Sequence, residues 1–218
     1  AALVADCVKA MRDAAPIEVS VKHRIGIDKN EEYGFVRDFV GTVAQSGVNV
    51  FIVHARNAWL KGLSPKENRE IPPLRYEIVH QLKRDFPELH ISLNGGVQDF
   101  ATIDEQLQQV DGVMVGRWFY HEPYALAQAD QRVFGAAAAP LIERDAVIEQ
   151  LVRYAEAQIK QGVPLRAMTR HWLNLYHGVP GARRWRHQLS DAKWLNQNDA
   201  RLLLDNLPRA MPDINEAV

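Results

Sequence analysis

The chain is poor in cysteine: Cys7 is the single one among 218 residues. A disulfide within the chain is therefore excluded, and no such bridge can stabilise the fold. This usage fits a reducing compartment, so we expect a cytoplasmic protein. Cys7 lies on the apolar side of the first predicted helix, which indicates a core residue.

Long apolar runs are also missing. No run approaches the roughly 20 residues that a membrane-spanning helix needs, so no membrane partner is expected. The first residues, AALVADCVKAM, are too short and too interrupted by charge for a signal peptide. They contain no initiator methionine, and we expect a piece of a longer protein. The composition, 47% hydrophobic and 24% charged, is that of a globular protein.

A third absence concerns acidic residues. The net charge is −1, yet no Asp or Glu occurs between Ala157 and Ser190. A basic, acid-free segment in a neutral protein suggests a phosphate-bearing partner, although a solvated helix face has the same composition. Trp172 and Tyr176 lie in this segment; they could stack on RNA bases or belong to a helical core. The basic residues of the window are Lys160, Arg166, Arg170, Arg183, Arg184 and Arg186.

Helical and strand patterns alternate over the first part of the chain. Apolar, β-branched segments predict strands over residues 17–26, 48–56, 89–97 and 111–119. Helical spacing predicts helices over residues 1–14, 33–46, 76–86, 100–109 and 122–134. A long polar insertion fills residues 57–73. Strict alternation of strands and helices predicts an α/β fold with a parallel sheet.

Each predicted strand ends in polar or glycine residues. Four ends of this kind favour half of a TIM (β/α)8 barrel, whose active sites lie at that face, over an open sheet with a site at one crevice. We expect about four βα units in residues 1–135 and a helical domain in residues 136–218, after the small-residue linker 135–140. The four ends are Lys22-His23-Arg24, His54-Ala55-Arg56, Asn94-Gly95-Gly96 and Gly116-Arg117.

The last two of these ends are candidates for a phosphate site. Glycine lets backbone N–H groups approach a phosphate, and Arg117 can make a bidentate contact, although tight turns need glycine too. Lys22 is expected to point into the barrel mouth, where it could bind a ring carbonyl or the anionic N1 region of a flavin, or to be an exposed strand-end lysine. His54 could bind a phosphate or a cofactor ring, or be a packed histidine.

Five segments carry a resemblance to a known family: VSVKHRIG, FIVHARNAWLKGLSPKENREIPPL, SLNGGV, DGVMVGR and TRHWLNLYHGVPGARRWR. They resemble the tRNA-dihydrouridine synthases, specifically the A-type, tRNA-dihydrouridine(20/20a) subfamily, over nearly the whole chain. The resemblance implies an FMN-containing barrel with a C-terminal helical domain that binds tRNA. It also implies reduction of uridine in the tRNA D-loop, at positions 20/20a, with NADPH as reductant.

The resemblance assigns roles to matching residues. FMN contacts are implied for Lys22, His54, Asn94, Gly95, Gly96, Gly116 and Arg117. Contacts with tRNA are implied for Arg56, Lys66, Arg69, Arg183, Arg184 and Arg186. No metal is expected.

The departure from the family is a missing Gly-Cys-Pro segment, which carries its general acid. Cys7 lacks that context, so no catalytic residue is assigned in this chain. We also expect this chain to start after the family's first barrel strands and its Pro-Met-Met segment, and to correspond to the second half of the barrel. We therefore expect no turnover from this chain alone, and open sheet edges that favour instability or self-association.

Two other functions remain open from the residues. Another FMN barrel, such as a dihydroorotate dehydrogenase, would share the phosphate cradle but gives no reason for the acid-free arginine segment. A truncated, non-catalytic RNA-binding protein would use that segment and bind no flavin.

Overall fold

The computed structural model describes residues 1–30, 32–133, 135 and 140–208. The chain divides into two compact units, Ala1–Val115 and Gly116–Val218. The sequence analysis placed this division after Gly135, twenty residues later in the chain.

The first unit is a parallel sheet with alternating helices, as predicted. Its strands pair in the order β1-β2-β3-β4, and every pairing is parallel. A 3-10 turn, Glu67–Arg69, interrupts the long insertion. The strands are β1 (Ser20–Arg24), β2 (Val50–His54), β3 (His90–Asn94) and β4 (Gly112–Met114), and the helices are α1 (Ala2–Ala14), α2 (Tyr33–Ala44), α3 (Tyr76–Asp85) and α4 (Phe100–Gln106).

One face of this sheet is buried. Phe51, Val53, Ile91 and Leu93 alternate along β2 and β3 and are fully buried. His23, on the same face of β1, packs against the ring of Phe39 from α2. Because parallel crossovers are right-handed, a sequential strand order places α2, α3 and α4 on a single face. These helices bury their apolar stripes, which include Val36, Val40, Val43, Ile78, Val79, Leu82 and Ile103.

The fourth strand is shorter than predicted. The apolar run DGVMVGRWF predicts a strand to Phe119, but β4 ends at Met114 and helix α5 (Arg117–His121) begins soon after. The prediction was wrong here because the backbone of Gly116 turns to φ −122°, ψ −86°. The amide of Tyr120 then donates to the Gly116 carbonyl at 3.2 Å, which starts a helical turn. Local hydrogen bonding thus overrides the strand propensity of the aromatic residues.

The predicted helix over residues 122–134 is also divided. A 3-10 helix (Pro123–Gln128) is followed by α6 (Ala129–Val133), and Phe134 lies outside the described residues. Both segments belong to the second unit because Tyr124 donates to the Ile142 carbonyl at 2.8 Å. The guanidinium of Arg144 also lies 3.7 Å from the Tyr124 ring centroid. These contacts explain why the boundary between the two units falls before Gly116 and not after Gly135. Most of the predicted linker 135–140 lies outside the described residues.

The described part of the second unit is helical and has its own core. Trp185 is fully buried, donates to the Trp172 carbonyl at 3.0 Å, and packs edge-on against Tyr176. Tyr176 is therefore a core residue, not a stacking platform for RNA. Among the described residues, we find no helix with the length and apolar character needed to cross a membrane. The remaining helices are α7 (Arg144–Lys160), α8 (Leu165–Thr169), α9 (Ala182–Gln188), α10 (Ala192–Leu195) and α11 (Leu202–Asp205).

Candidate functional site

The sheet face opposite the helices carries two rows of side chains near the carboxyl ends of the strands. Strand register places Arg24, His54, Asn94 and Met114 at one level. Lys22, Ile52, Ser92 and Gly112 form the level below. His54 thus pairs with Arg24 and lies one level above Lys22. Neither row contains a carboxylate, so this edge suits an anionic ligand better than a metal ion.

Lys22 is an exposed cation on this face. Partial burial lowers the pKa of the Lys22 ammonium, and the neighbouring charge of Arg24 lowers it further. Burial is the larger cause of this shift and the charge of Arg24 the smaller one; an anion bound at the strand end would relieve the repulsion between the two cations. Lys22 lies on the sheet face opposite the helices, and its position in a barrel mouth stays a prediction.

His54 is buried, with 7% of its surface exposed, and lies against Gly95. A Cβ atom at Gly95 would stand 2.7 Å from His54 Cδ2 and 2.9 Å from Nε2. Gly95 also has φ +117°, which side chains rarely adopt. Glycine is therefore required here by both conformation and packing, and its packing partner is itself a candidate site residue.

Asn94 and Gly96 complete the first glycine segment. The Asn94 amide donates to the Met114 carbonyl at 2.7 Å and so ties the end of β3 to the end of β4. Gly96 has φ +70°, and a Cβ atom there would meet Leu74 Cδ1 at 2.4 Å. The hydroxyl of Tyr76 donates to the Gly95 carbonyl at 2.6 Å. This turn is held from three sides, which fixes the direction of its backbone groups.

Gly116 and Arg117 belong to the second unit. The surroundings of Gly116 differ from those of Gly95. A Cβ atom at Gly116 would meet nothing within 4 Å among the described atoms, and φ is negative. Packing and conformation therefore do not explain glycine at this position, unlike at Gly95. Arg117 is exposed at the start of α5.

The predicted tRNA residues of the insertion have different surroundings. Lys66 and Arg69 are exposed around the 3-10 turn. Arg56 is half-buried, and its guanidinium donates to the carbonyls of Glu70 and Pro72. At least part of its hydrogen-bonding capacity therefore supports the loop backbone.

Three arginines of the acid-free segment lie on α9 around the buried Trp185. Arg183 and Arg184 are exposed and Arg186 is half-buried. Acidic groups from elsewhere in the chain do approach this segment, since Glu122 lies 3.8 Å from His177. Within the part of the chain that the structure describes, we find no ion pair for the three α9 arginines, so this helix remains a basic surface.

A family model described as Dihydrouridine synthase (Dus) matches residues 1–211. The chain belongs to the dihydrouridine synthase family. The resemblance seen in the sequence is thereby confirmed.

Curated relatives of this dihydrouridine synthase chain have the name tRNA-dihydrouridine(20/20a) synthase. The relative from Pseudomonas syringae pv. tomato is 57% identical over 86% of this chain and 56% of its own length. That from Shewanella oneidensis is 52% identical over 87% of this chain and 56% of its own. The chain thus spans about half the length of the curated relatives it matches. A solved mandelate oxidase with benzoyl-formic acid aligns with a TM-score of 0.34 and 15% identity over 94% of this chain and 66% of that one, which is too weak to support an argument.

Cys7 of this dihydrouridine synthase chain is exposed on α1, so its prediction as a core residue was wrong. The apolar stripe of α1 leaves only Val8 buried. The described residues include no group of three or more His, Cys, Asp or Glu side chains that could hold a metal ion.

The sequence predicted Arg24 only as a residue at a strand end, and its contacts with the insertion were not predicted. Its Nη1 donates to the carbonyls of Asn57 and Asn68, both in the insertion of this dihydrouridine synthase chain. A signal was present, because a second cation two residues after Lys22 on an alternating strand must share its face.

Proposed function

We propose that this chain contributes the phosphate side of a flavin site and a tRNA-binding surface to an enzyme that reduces uridine in tRNA to dihydrouridine. The observation that carries the proposal is the carboxylate-free polar edge of the sheet in a chain of the dihydrouridine synthase family. The name of the relatives, tRNA-dihydrouridine(20/20a) synthase, supports uridines 20 and 20a as the target. We propose FMN as the flavin and NADPH as the reductant.

The sheet fits the second half of a (β/α)8 barrel. A doubly wound sheet reverses its strand order and places helices on both faces. Here the strands follow in sequence, and the face that bears Lys22 and His54 lies opposite the helices. A barrel needs this arrangement, since its helices form an outer ring and its ligands lie at the carboxyl ends of the strands.

The residues at this edge are chemically suited to FMN. Lys22 would face the electron-rich part of the flavin ring, and His54, held against Gly95, would present a hydrogen-bonding nitrogen. In the first unit, the turn of Asn94, Gly95 and Gly96 would offer backbone N–H groups to a phosphate. In the second unit, taken by itself, Arg117 beside the open backbone of Gly116 would offer a charge-assisted phosphate contact. When bound, the flavin supplies hydride transfer between the nicotinamide and the uracil ring.

The tRNA would be held by cations of both units. Lys66 and Arg69 lie exposed on the insertion, and Arg183, Arg184 and Arg186 on α9. Arg56 was predicted with them, but its bonds to loop carbonyls favour a supporting role. Because such contacts release counterions from the nucleic acid, tRNA affinity is expected to fall steeply with salt.

Flavin binding by the chain tests the first part of the proposal. We expect FMN to bind the wild-type chain and Lys22→Met to weaken binding by about tenfold or more, as expected for a lost charge-assisted contact. Lys9→Met, which removes an exposed charge from α1, is the matched control and should leave affinity unchanged. Fluorescence titration with FMN measures both. A wild-type chain that binds neither FMN nor tRNA contradicts the proposal, whereas tRNA binding without FMN favours the non-catalytic RNA-binding protein.

A further inference from the structure

The connection between β2 and α3, residues 55–75, is held to the sheet by Arg24. A single guanidinium nitrogen of Arg24, Nη1, donates to the Asn57 carbonyl at 2.7 Å and the Asn68 carbonyl at 2.8 Å. These acceptors are eleven residues apart in the chain. The end of β1 thus joins the start of the loop to its middle.

Asn68 closes residues 59–68 of the loop into a hydrogen-bonded ring through the backbone of Trp59. Its Oδ1 accepts from the Trp59 amide at 2.9 Å, and its Nδ2 donates to the Trp59 carbonyl. Inside this ring, the Ser64 amide donates to a Glu67 carboxylate oxygen at 2.8 Å and so organises the 3-10 turn. The loop is therefore a closed, hydrogen-bonded structure, although it lacks long regular elements.

A second loop, between β1 and α2, is fastened to the first. Asn57 is buried and donates to the carbonyls of Asp28 at 3.0 Å and Asn30 at 2.8 Å. The carboxylate of Asp28 accepts from the Leu60 amide at 2.8 Å. At Gly26, a Cβ atom would stand 2.8 Å from the Asn30 carbonyl oxygen, so the two loops leave no room for a side chain.

We infer that Arg24 is a positioning residue that holds residues 55–75 in one conformation, so that Lys66 and Arg69 are ordered before tRNA binds. This inference rests on the proposed function for its link to tRNA. Arg24 donates hydrogen bonds to the neutral backbone carbonyls of Asn57 and Asn68, and its side chain is half-buried. Ordering the loop in advance removes an entropy cost from the binding step.

The electrostatic surroundings agree with this role. The pKa of Arg24 is lowered. Burial is the largest cause, followed by the charge of Arg56 and then by that of Arg69. Three like charges lie close together, and hydrogen bonds from Arg24 and Arg56 to loop carbonyls oppose their repulsion. Loss of the Arg24 bonds should release the loop, because these bonds join the end of β1 to Asn57 and Asn68.

Two variants test the inference by different routes. Arg24→Met removes the bonds from the sheet, and Asn68→Ala opens the ring while all charges stay in place. Trypsin cleavage after Lys61 and Lys66, mapped by mass spectrometry, reports loop opening because cleavage follows the population of the open form. We expect about tenfold faster cleavage in both variants, as expected for the loss of charge-assisted hydrogen bonds or of a pair of part-buried ones. Lys29→Met, an exposed lysine on the neighbouring loop, is the control and should match wild type.

Affinity for an unmodified tRNA transcript gives the second measurement. We expect both variants to bind about tenfold more weakly at one salt concentration, while Asn68→Ala keeps the wild-type salt dependence. Unchanged cleavage in Arg24→Met overturns the inference. So does a loss of affinity confined to Arg24→Met with a salt slope reduced by about one, because Arg24 would then contact a phosphate itself.

The two proposals fail separately. If the wild-type chain binds no tRNA, the proposed function is contradicted, and cleavage still decides whether Arg24 orders the loop. If Arg24→Met does not fold, as judged by its melting curve, Asn68→Ala decides both measurements, because Asn68 lies outside the sheet.

Discussion

Replacing Gly95 with alanine should damage the candidate flavin site and the stability of the first unit together. The new methyl group would stand 2.7 Å from His54 Cδ2, 2.9 Å from Nε2 and 3.2 Å from Leu74 Cδ2. Contacts of this length are repulsive, and His54 is buried with little room to move. The side chain of His54 should therefore be displaced from its present position.

The cost has two parts. Holding alanine at φ +117° costs about 1–3 kcal/mol, as for other residues in sparsely populated backbone regions. Overpacking against His54 and Leu74 adds about 1–3 kcal/mol. We expect Gly95→Ala to lower the free energy of unfolding of the first unit by about 2–6 kcal/mol, the sum of the two parts, and to weaken FMN binding.

Two other glycines separate these parts. Gly62 has φ +84° with nothing within 4 Å, so Gly62→Ala should show the conformational cost alone, about 1–2 kcal/mol. Gly34 lies in α2, also with open space around it, and Gly34→Ala should stabilise the protein by about 0.5–1 kcal/mol. The two controls bracket the effect of backbone conformation.

Hydrogen exchange of the strand amides in β2 and β3 measures the loss for the first unit alone. If Gly95→Ala and Gly62→Ala lower the stability equally, the predicted overpacking against His54 is refuted, because that contact would then have no energetic consequence. Unchanged FMN affinity in a destabilised Gly95→Ala protein would separate His54 from the cofactor site.

Two further predictions concern the cores. Burial lowers the pKa of His23 in the folded protein; its hydrogen bond to the Arg24 carbonyl acts in the opposite direction, and the charge of Lys22 lowers the pKa further. The unfolded chain therefore binds more protons below pH ~6.5, and stability should fall from that pH downward by up to about 1.4 kcal/mol per unit. His23→Phe should reduce this loss of unfolding free energy at low pH, as measured by urea titrations at several pH values. A pH dependence of stability identical to that of the wild type would rule the explanation out. In the second unit, Trp185→Ala should cost about 3–5 kcal/mol in urea unfolding, whereas exposed Arg184→Ala should stay within about 0.5 kcal/mol; equal losses would contradict the assigned core.

The sheet of the first unit was predictable because its strands are short apolar runs bounded by turn residues. Phe51, Val53, Ile91 and Leu93 are buried where the pattern places them. The end of β4 was not predictable, since Val115 and Trp118 continue an apolar run while the backbone turns at Gly116. Strand propensity depends on the side chains, whereas the end of this strand is determined by the hydrogen bond from the Tyr120 amide to the Gly116 carbonyl.

The candidate site was predictable as a set of strand ends but not as a geometry. Alternation identified the face of Lys22, whereas the register that pairs His54 with Arg24 depends on contacts between distant segments. The roles of Arg24 and Arg56 could not be read from composition either. Their acceptors are backbone carbonyls, which every residue carries, so no residue type marks them.

The sequential strand order has a consequence for how the sheet is made. Each strand pairs with the one synthesised directly before it: Val50 joins Ser20, His90 joins Val50, and Gly112 joins Ser92. Pairing therefore spans only the intervening helix and its loops, which keeps the chain entropy lost on loop closure small. During translation, each new βα unit can add to an edge that already exists, so this sheet can assemble in the order in which the ribosome releases it.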